Sequence, residues 1–323
     1  MKFIKILLIF FVFNSCIKQE KVDIDIPIYR FDKEFSYTNP QNYDKHLAQI
    51  ELKFPKFIDY YLSNHIAMIN RNDSIKRDNI LLFTSHSEVM LFQEKIDNHF
   101  PNVIEIAEIN EAFGIYKYYF PENEIPKNVI FINAFGSFGI DLYNNNLIIG
   151  LDFYLGKENP MFNTVYDYLK NRYNEKFMIA DAMEYWMSSE FIETHITHTF
   201  LDELIFKGKI MYLIKEFLPN KTIDVIFRFS EEELQWCETH EQNIWNEILK
   251  MDILYKSDES SYISFFHDSP FTKGMPKESP GRLGYWTGHQ IVTQYMKNEG
   301  VGLLDLMNNT NSQDILLKSK YKP

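Results

Sequence analysis

The apolar residues of this chain recur mostly at helical spacing, and one stretch near the middle is rich in β-forming residues. Helices are predicted on both sides of that stretch, over 42–52, 55–65, 88–100, 160–173, 180–193, 200–217, 231–248 and 280–297. Ser230 and Glu233 have the spacing of a capping box, which indicates where the helix 231–248 begins. Residues 28–35 are predicted as a strand, and the pattern over 104–119 is ambiguous.

The β-rich stretch lies between the two sets of helices. Apolar runs at 128–133, 138–143 and 147–154 are interrupted by turn residues, and 144–146 is an unbroken run of asparagines. Asparagine tolerates the positive φ angles of tight hairpins, so a turn is predicted there. The sequence therefore predicts a small antiparallel sheet across 128–154 within a single, mostly helical α+β domain.

The N-terminus is organised like a bacterial lipoprotein signal. Two lysines precede an eight-residue apolar run, and a small residue precedes Cys16. Eight residues are far fewer than the roughly 20 of a membrane-spanning helix, so the run is expected to be cleaved. The expected organisation is a signal peptide over 1–15, lipid on Cys16, a charged tether over 16–27 and a domain over 28–323. The alternative is an ordinary secretory signal in which Cys16 occurs by chance.

Composition excludes several classes of partner. The formal net charge is −12, and it becomes −14 once the two signal lysines are removed. Nucleic-acid binding requires a positively charged face, so no nucleic acid is expected. No polybasic stretch is present for anionic lipid, so membrane contact is expected through lipid on Cys16 alone. Lipidation would leave Cys237 without a partner, and stability would then depend on a core supplied by 28 Phe and 20 Tyr.

Two histidines and a carboxylate form one candidate metal site. His195, His198 and Asp202 are spaced so that a helix would carry all three on one face. Three neighbouring threonines favour a loop or a frayed helix start instead. The two alternatives are a metal site and a solvated polar turn. The chain contains no glycine-rich nucleotide motif and no metal-binding cysteine pair, and no cofactor is expected.

The last predicted long helix carries a stripe of glycines, Gly281, Gly284 and Gly288. Glycine destabilises a helix by about 1 kcal/mol relative to alanine. Three of them on one face favour close packing against another segment, most simply within the same domain.

Polar side chains beside the glycine stripe are candidates for lining a groove. Tyr285 and His289 lie near the stripe at positions i and i+4, and Arg282 lies just before them. These residues would either line a cleft or be satisfied residues of the core.

Seven short motifs occur in order along nearly the whole chain after the signal. They are Tyr-Arg-Phe-Asp-Lys at 29–33, Gly-Leu-Asp-x-Tyr-Leu-Gly at 150–156, Lys-Gly-Lys at 207–209, Phe-Leu-Pro at 217–219, Gln-Trp-Cys-Glu at 235–238, Glu-Ser-Pro-Gly-Arg-x-Gly at 278–284 and Lys-Ser-Lys-Tyr-Lys-Pro at 318–323. As a set they resemble the GldB gliding-motility lipoproteins. The resemblance implies a lipid-anchored envelope protein needed for gliding and for the linked type IX secretion machinery, and it implies no demonstrated enzyme activity.

The GldB family is similar in turn to predicted zinc-peptidase-like proteins, so the resemblance implies a zinc-peptidase-like core. Such enzymes carry His-Glu-x-x-His, with two imidazole ligands and a general base on one helix. Here Met183 and Met187 stand at the ligand positions, Glu184 at the position of the base, and Lys207 where the resemblance implies a carboxylate ligand. Thioethers and an ammonium are poor zinc ligands. We therefore expect no zinc and no catalytic residue there, and Glu184 is expected to pair with a cation such as Lys207.

The resemblance and the missing zinc ligands favour a non-enzymatic binding or assembly component. The resemblance implies that other gliding or secretion proteins bind it, and the outer membrane is expected rather than the inner one. A groove between the sheet and the helix that carries Glu184 is one candidate surface. The alternative is a metal-dependent hydrolase or peptidase whose atypical site would combine His195, His198 and Asp202 with Glu184 or Glu203. A nutrient-binding lipoprotein is disfavoured, because no open α/β binding pattern is present.

Overall fold

The computed structural model describes residues 20–68, 72–101, 106–157, 159–192 and 199–323. Cys16 and the predicted signal peptide lie outside the described residues, as do His195 and His198. Within those ranges the protein is a single α+β domain in which helices dominate and one small sheet is present, as predicted.

The described residues between 20 and 119 form one strand and six helices. They are β1 (Ile28–Arg30), α1 (Phe31–Ser36), α2 (Tyr43–Lys53), α3 (Phe57–Asn64), α4 (Asp73–Thr84), α5 (Ser87–His99) and α6 (Ile106–Tyr119). The predicted strand over 28–35 is wrong beyond its first three residues. Phe31 and Phe35 lie four residues apart and are both buried on one face of α1. Helix α4 was missed by the sequence pattern.

The sheet contains β1 and three further strands, β2 (Val129–Ile132), β3 (Ile140–Tyr143) and β4 (Asn146–Gly150), in the order β1-β2-β4-β3. The prediction of a wholly antiparallel sheet is wrong. Only β3 and β4 are antiparallel, whereas β4 pairs with β2, and β2 with β1, in parallel. The reason is that β1 reaches β2 through a crossover of six helices, and long crossovers are what parallel pairs require.

The hairpin between β3 and β4 is where the asparagine run predicted it. Asn144 and Asn145 connect the two strands and have φ angles of +48° and +61°. Two consecutive residues with positive φ form the turn whose twist matches that of the flanking strands.

After β4, the regular elements of the described residues are α-helices and short 3-10 turns. Its helices are α7 (Asp167–Lys170), α8 (Met178–Glu190), α9 (Phe200–Phe217), α10 (Ile223–Phe227), α11 (Glu231–Lys250), α12 (Leu283–Glu299), α13 (Leu303–Asn308) and α14 (Ser312–Ser319). The predicted helix over 160–173 is replaced by a 3-10 turn and the short α7, because the chain folds back to pair Leu155 with Asn174. None of the described helices is long and apolar enough to cross a membrane.

The sheet separates two hydrophobic cores. Val129 and Phe131 of β2 face the larger core, which contains α6, α8, α9 and α12. Ile130 and Ile132 alternate with them and face the smaller core, built from the N-terminal helices. Both faces of β2 are therefore buried, as its continuous apolar run requires.

Helices α9 and α12 pack with their backbones in contact. A Cβ atom at Gly288 would lie 2.0 Å from the carbonyl oxygen of Leu204, and one at Gly208 would lie 2.3 Å from the backbone of Gly288. The predicted close packing of the glycine stripe is thus confirmed at Gly288 and also at Gly284, which packs on Phe266. Gly281 lies before α12 begins and packs on a loop instead.

Residues 20–26, within the predicted tether, lie against α6. The amide of Val22 donates to the carbonyl of Gly114 at 3.0 Å, and Lys21 pairs with Glu111 at 2.9 Å. A Cβ atom at Gly114 would lie 2.4 Å from the carbonyl oxygen of Val22. Glycine at this position therefore permits the close approach of the N-terminal segment.

Candidate functional site

A cleft of about 480 Å³ lies between β3 and α8. Gly139 and Ile140 form one wall, and residues of α8 from Asp181 to Ser189 form the other. Strand β3 is at the edge of the sheet and is paired only with β4 among the described strands. The cleft therefore meets the edge of the sheet at Ile140, where β3 begins.

Glu184 projects from α8 into the base of this cleft, where two arginines bind its carboxylate. Nη2 of Arg282 donates to both carboxylate oxygens at 3.0 Å. Nη1 of Arg228 lies 2.8 Å from Oε2. The side chains of Arg228 and Arg282 are 0 % and 7 % exposed, and that of Glu184 is 18 % exposed. The three residues thus form a largely buried, hydrogen-bonded ion cluster.

The cluster extends to a second acidic residue of α8. Nε of Arg228 donates to Asp181 at 2.7 Å, and Arg172 lies 3.6 Å from the same oxygen. The hydroxyl of Tyr154 donates to the other oxygen of Asp181 at 3.0 Å. Arg172 also binds Asp268. Asp181 and Glu184 are three residues apart, so one face of α8 carries both carboxylates toward the arginines.

The arginines control the ionisation of Glu184. Burial by itself would raise the pKa of this carboxyl, but Arg282, Arg228, Lys207 and Arg172 together hold it well below its ordinary value. Glu184 is consequently ionised throughout the neutral range. Burial would in turn lower the pKa of Arg282, and the charge of Glu184 raises it above its ordinary value.

Both arginines that bind Glu184 have an unusual backbone conformation. Arg228 ends α10 with φ of +56°, and Arg282 precedes α12 with φ of +60°. For a residue with a Cβ atom this left-handed conformation costs about 1–2 kcal/mol. The packing of the two loops and the bonds to Glu184 and Asp181 must offset that cost.

The two methionines of α8 do not line the cleft. Met183 and Met187 are 1 % and 0 % exposed and belong to the larger hydrophobic core. Their side chains are packed among apolar neighbours, which is the ordinary role of methionine in a helix.

Lys207 lines the cleft from α9, but its nearest acidic partner is not Glu184. Its Nζ lies 3.4 Å from Glu203 and 5.7 Å from the centre of the Tyr285 ring. The expected Glu184–Lys207 ion pair is therefore replaced by the arginine cluster, and Lys207 acts on Glu184 only through its charge at longer range.

Of the remaining predicted groove residues, Arg282 and Tyr285 are in contact, and His289 packs elsewhere. Arg282 binds Glu184 and stacks 4.0 Å from the centre of the Tyr285 ring. Tyr285 is 7 % exposed and lies beneath the cluster. His289 is 4 % exposed and packs on Phe227. Burial, and then the charge of Lys215, lower the pKa of His289 to about 3, so it is neutral at physiological pH.

The candidate metal site is only partly described. His195 and His198 lie outside the described residues, and Asp202 accepts a hydrogen bond from the hydroxyl of Thr199, which caps α9. Among the residues that the structure describes, no three His, Cys, Asp or Glu side chains are grouped in a way that would hold a metal ion.

The glycine turn at 136–139 also has a structural role. The carboxylate of Asp152 accepts hydrogen bonds from the amides of Ala134 and Gly136, both at 2.6 Å. Burial raises the pKa of Asp152 to about 6, although these two hydrogen bonds lower it. Asp152 thus fixes the backbone of the turn that follows β2.

The sequence did not reveal Arg172, Asp181 or Arg228 as site residues. A signal was present for Arg228, because it stands between Phe227 and Phe229 at the end of an apolar run. A charge inside such a run is expected to be buried and paired. Asp181 carries the same signal, because it lies inside the apolar run 177–183. Arg172 lies in polar surroundings in the sequence, and no comparable signal marks it.

Comparison with known proteins agrees with the motifs. A family model described as gliding motility protein GldB matches residues 14–323, nearly the whole chain, and its name marks a lipoprotein family. No curated protein and no solved structure matches the chain significantly. The match to the family model confirms the predicted resemblance, and the chain therefore belongs to the GldB family of gliding motility proteins.

Proposed function

We propose that this protein supports gliding as a non-enzymatic binding component of the cell envelope. Lipid on Cys16 would hold it at the outer membrane, where it would serve the linked type IX secretion machinery. Membership of the GldB family supports the gliding role. The binding of Glu184 by Arg282 and Arg228 is the observation that carries the non-enzymatic part of the proposal.

A general base must accept a proton near the working pH. The carboxylate of Glu184 instead receives guanidinium N–H groups at both oxygens, and its pKa is far below neutrality. Met183 and Met187 are buried and offer only thioethers. In this proposal Glu184, which stands where the resemblance implies a catalytic base, belongs to a structural ion cluster.

The cleft between β3 and α8 is the surface through which we propose that a partner protein binds. An edge strand offers backbone donors and acceptors to an extended segment of another chain. Tyr185 and Ile192 at the cleft are 45 % and 57 % exposed, and apolar side chains at this position would contact such a segment.

A photo-crosslinking amino acid at position 192, introduced in gliding cells, tests this binding role. Leu249 provides a matched control, because it is a 46 % exposed aliphatic side chain of α11 that does not line the cleft. We expect a defined crosslinked protein from position 192 and none from position 249. Ile192→Glu should abolish gliding at normal protein abundance, and Leu249→Glu should not. Normal gliding of Ile192→Glu without crosslinks would refute the proposal.

Anchoring is tested at Cys16. Several acyl chains together hold a protein stably on a membrane, so Cys16→Ala should release the protein or leave it unprocessed. Labelled palmitate should enter the wild-type protein and not the variant. The absence of label from the wild type would contradict lipid anchoring, and label recovered with the inner membrane would contradict the proposed location.

Metal analysis distinguishes this proposal from a hydrolase. Purified full-length protein should contain far less than one equivalent of zinc, and a chelator should leave its melting temperature unchanged. One tightly held equivalent that is lost in His198→Ala would favour a metal-dependent enzyme instead.

A further inference from the structure

A second and smaller pocket shares Arg172 with the cleft. Its volume is about 50 Å³, enough for one or two water molecules or one small anion. Its charged lining residues are Arg172, Arg228, Arg282, Glu233 and Asp268. We call it the arginine pocket.

Each arginine of this pocket has a buried nitrogen without a hydrogen-bond partner. Among the described residues, no acceptor binds Nε of Arg172, Nη2 of Arg228 or Nη1 of Arg282. One or two other nitrogens of each guanidinium group bind Asp181, Glu184, Asp268 or a backbone carbonyl. Buried N–H groups without an acceptor are costly, at about 1–3 kcal/mol each. Three such groups on arginines that line one pocket therefore call for a shared acceptor.

The surroundings of the pocket are rich in charge. Three guanidinium groups and two carboxylates line it, and Asp181 and Glu184 bind the same arginines from outside the lining. Glu233 already accepts the amide of Ser230 in the capping box of α11, and burial raises its pKa. Burial, and next the charge of Arg282, lower the pKa of Arg172. The three cations are thus crowded together, and an ion between them would bind the nitrogens that the carboxylates leave unpartnered.

We propose that the arginine pocket binds one small monovalent anion, a halide or a carboxylate the size of formate. A halide accepts hydrogen bonds in all directions and formate accepts them at both oxygens, whereas a water molecule also brings two hydrogens that need acceptors. Bound there, the anion links the three arginines to one another. Because Arg228 and Arg282 also hold Glu184, the anion stabilises the base of the cleft.

Thermal unfolding of the full-length protein in detergent tests this site with chloride as the probe. Sodium chloride replaces sodium gluconate at constant ionic strength, since gluconate is too large for the pocket. We expect the melting temperature to rise with chloride and to level off, as saturation of one site requires. Formate should act in the same way. Equal melting temperatures in chloride and gluconate would show that only water occupies the pocket and would overturn the proposal.

Two variants separate the site from a general salt effect. Arg172→Gln should lose the chloride-dependent rise, and Arg77→Gln should keep it, because Arg77 pairs with Asp44 at the surface and lies elsewhere. A full chloride response in Arg172→Gln would refute the assignment. If that variant does not fold, anomalous diffraction from wild-type crystals grown in bromide tests whether the pocket holds an anion. A bromide peak between the three arginines supports the site, and no peak there overturns it.

Discussion

The carboxylate of Glu184 is held by one nitrogen of Arg282, which donates to both carboxylate oxygens at 3.0 Å from a position 98 residues further along the chain. Arg228 binds the same carboxylate from a third segment. Through this residue, α8 is connected to the end of α10 and to the start of α12. The cluster therefore ties together the elements that form the base of the cleft.

Removing the charge of Glu184 should strongly destabilise the protein. Glu184→Gln leaves two buried guanidinium groups without their main counter-charge, and breaking a buried ion cluster costs about 3–5 kcal/mol. Denaturant unfolding of the full-length protein measures this loss. Glu247→Gln is the control, because Glu247 is 41 % exposed and its ion-pair partner among the described residues is Lys250, so its loss should stay below about 1 kcal/mol. Similar losses in both variants would contradict a structural role for the cluster.

Asp152 should make stability fall as the pH rises from about 4 to about 6. Its folded-state pKa of about 6 lies above the ordinary value of 3.8, so over this range the unfolded chain releases the proton while the folded protein retains it. The stabilisation from protonated Asp152 is fully present below the pKa of this group in the unfolded chain. It is lost as the pH rises through the folded-state pKa, and the loss of unfolding free energy is at most about 3 kcal/mol. Glu184, with its lowered pKa, acts in the opposite sense at lower pH.

Comparison with Asp152→Asn isolates this effect, since asparagine keeps one oxygen acceptor for the amides of Ala134 and Gly136. As the pH rises from 4 to 6, the unfolding free energy of the wild type should fall relative to that of the variant. A difference that does not change with pH would show that Asp152 does not titrate in this range.

A methyl group at Gly288 should force α9 and α12 apart. Its Cβ atom would lie 2.0 Å from the carbonyl oxygen of Leu204, which is backbone and cannot turn aside. Overpacking of this kind costs about 1–3 kcal/mol or more. Gly302→Ala is the matched control, because its Cβ atom would meet only a side-chain oxygen of Asp305 at 3.5 Å. Melting temperatures of the two variants give the comparison, and an unchanged value for Gly288→Ala would refute the close contact.

Substitution of Gly114 should detach the N-terminal segment from α6. Alanine normally favours a helix over glycine by about 1 kcal/mol, but here its Cβ atom would lie 2.4 Å from the carbonyl oxygen of Val22. Gly114→Ala should therefore speed hydrogen exchange at the Val22 amide. Glu111→Gln removes only the exposed pair with Lys21 and should change exchange little. Equal protection of Val22 in Gly114→Ala and the wild type would contradict the docking.

Local features of this protein were determined by the sequence alone. Helix α9 covers the residues predicted for it, Phe200–Phe217, because its apolar spacing is continuous. Ser230 and Glu233 form the expected capping box, and the asparagine run makes the hairpin turn. Each of these depends on residues within a few positions of one another, where backbone preference and hydrogen bonding are fixed by neighbours.

The tertiary structure decided the strand order and the partners of Glu184. Strand β3 lies at the edge of the sheet because β4 pairs with β2 in parallel and so lies between β2 and β3. No short-range sequence pattern specifies which strand pairs with β2. Lys207 was the cation suggested for Glu184, yet Arg228 and Arg282 bind it. Their side chains meet only after α8, α10 and α12 have packed on a common core. Sequence periodicity defines which face of each helix is buried, whereas the distances between charges on different helices depend on how those helices pack together.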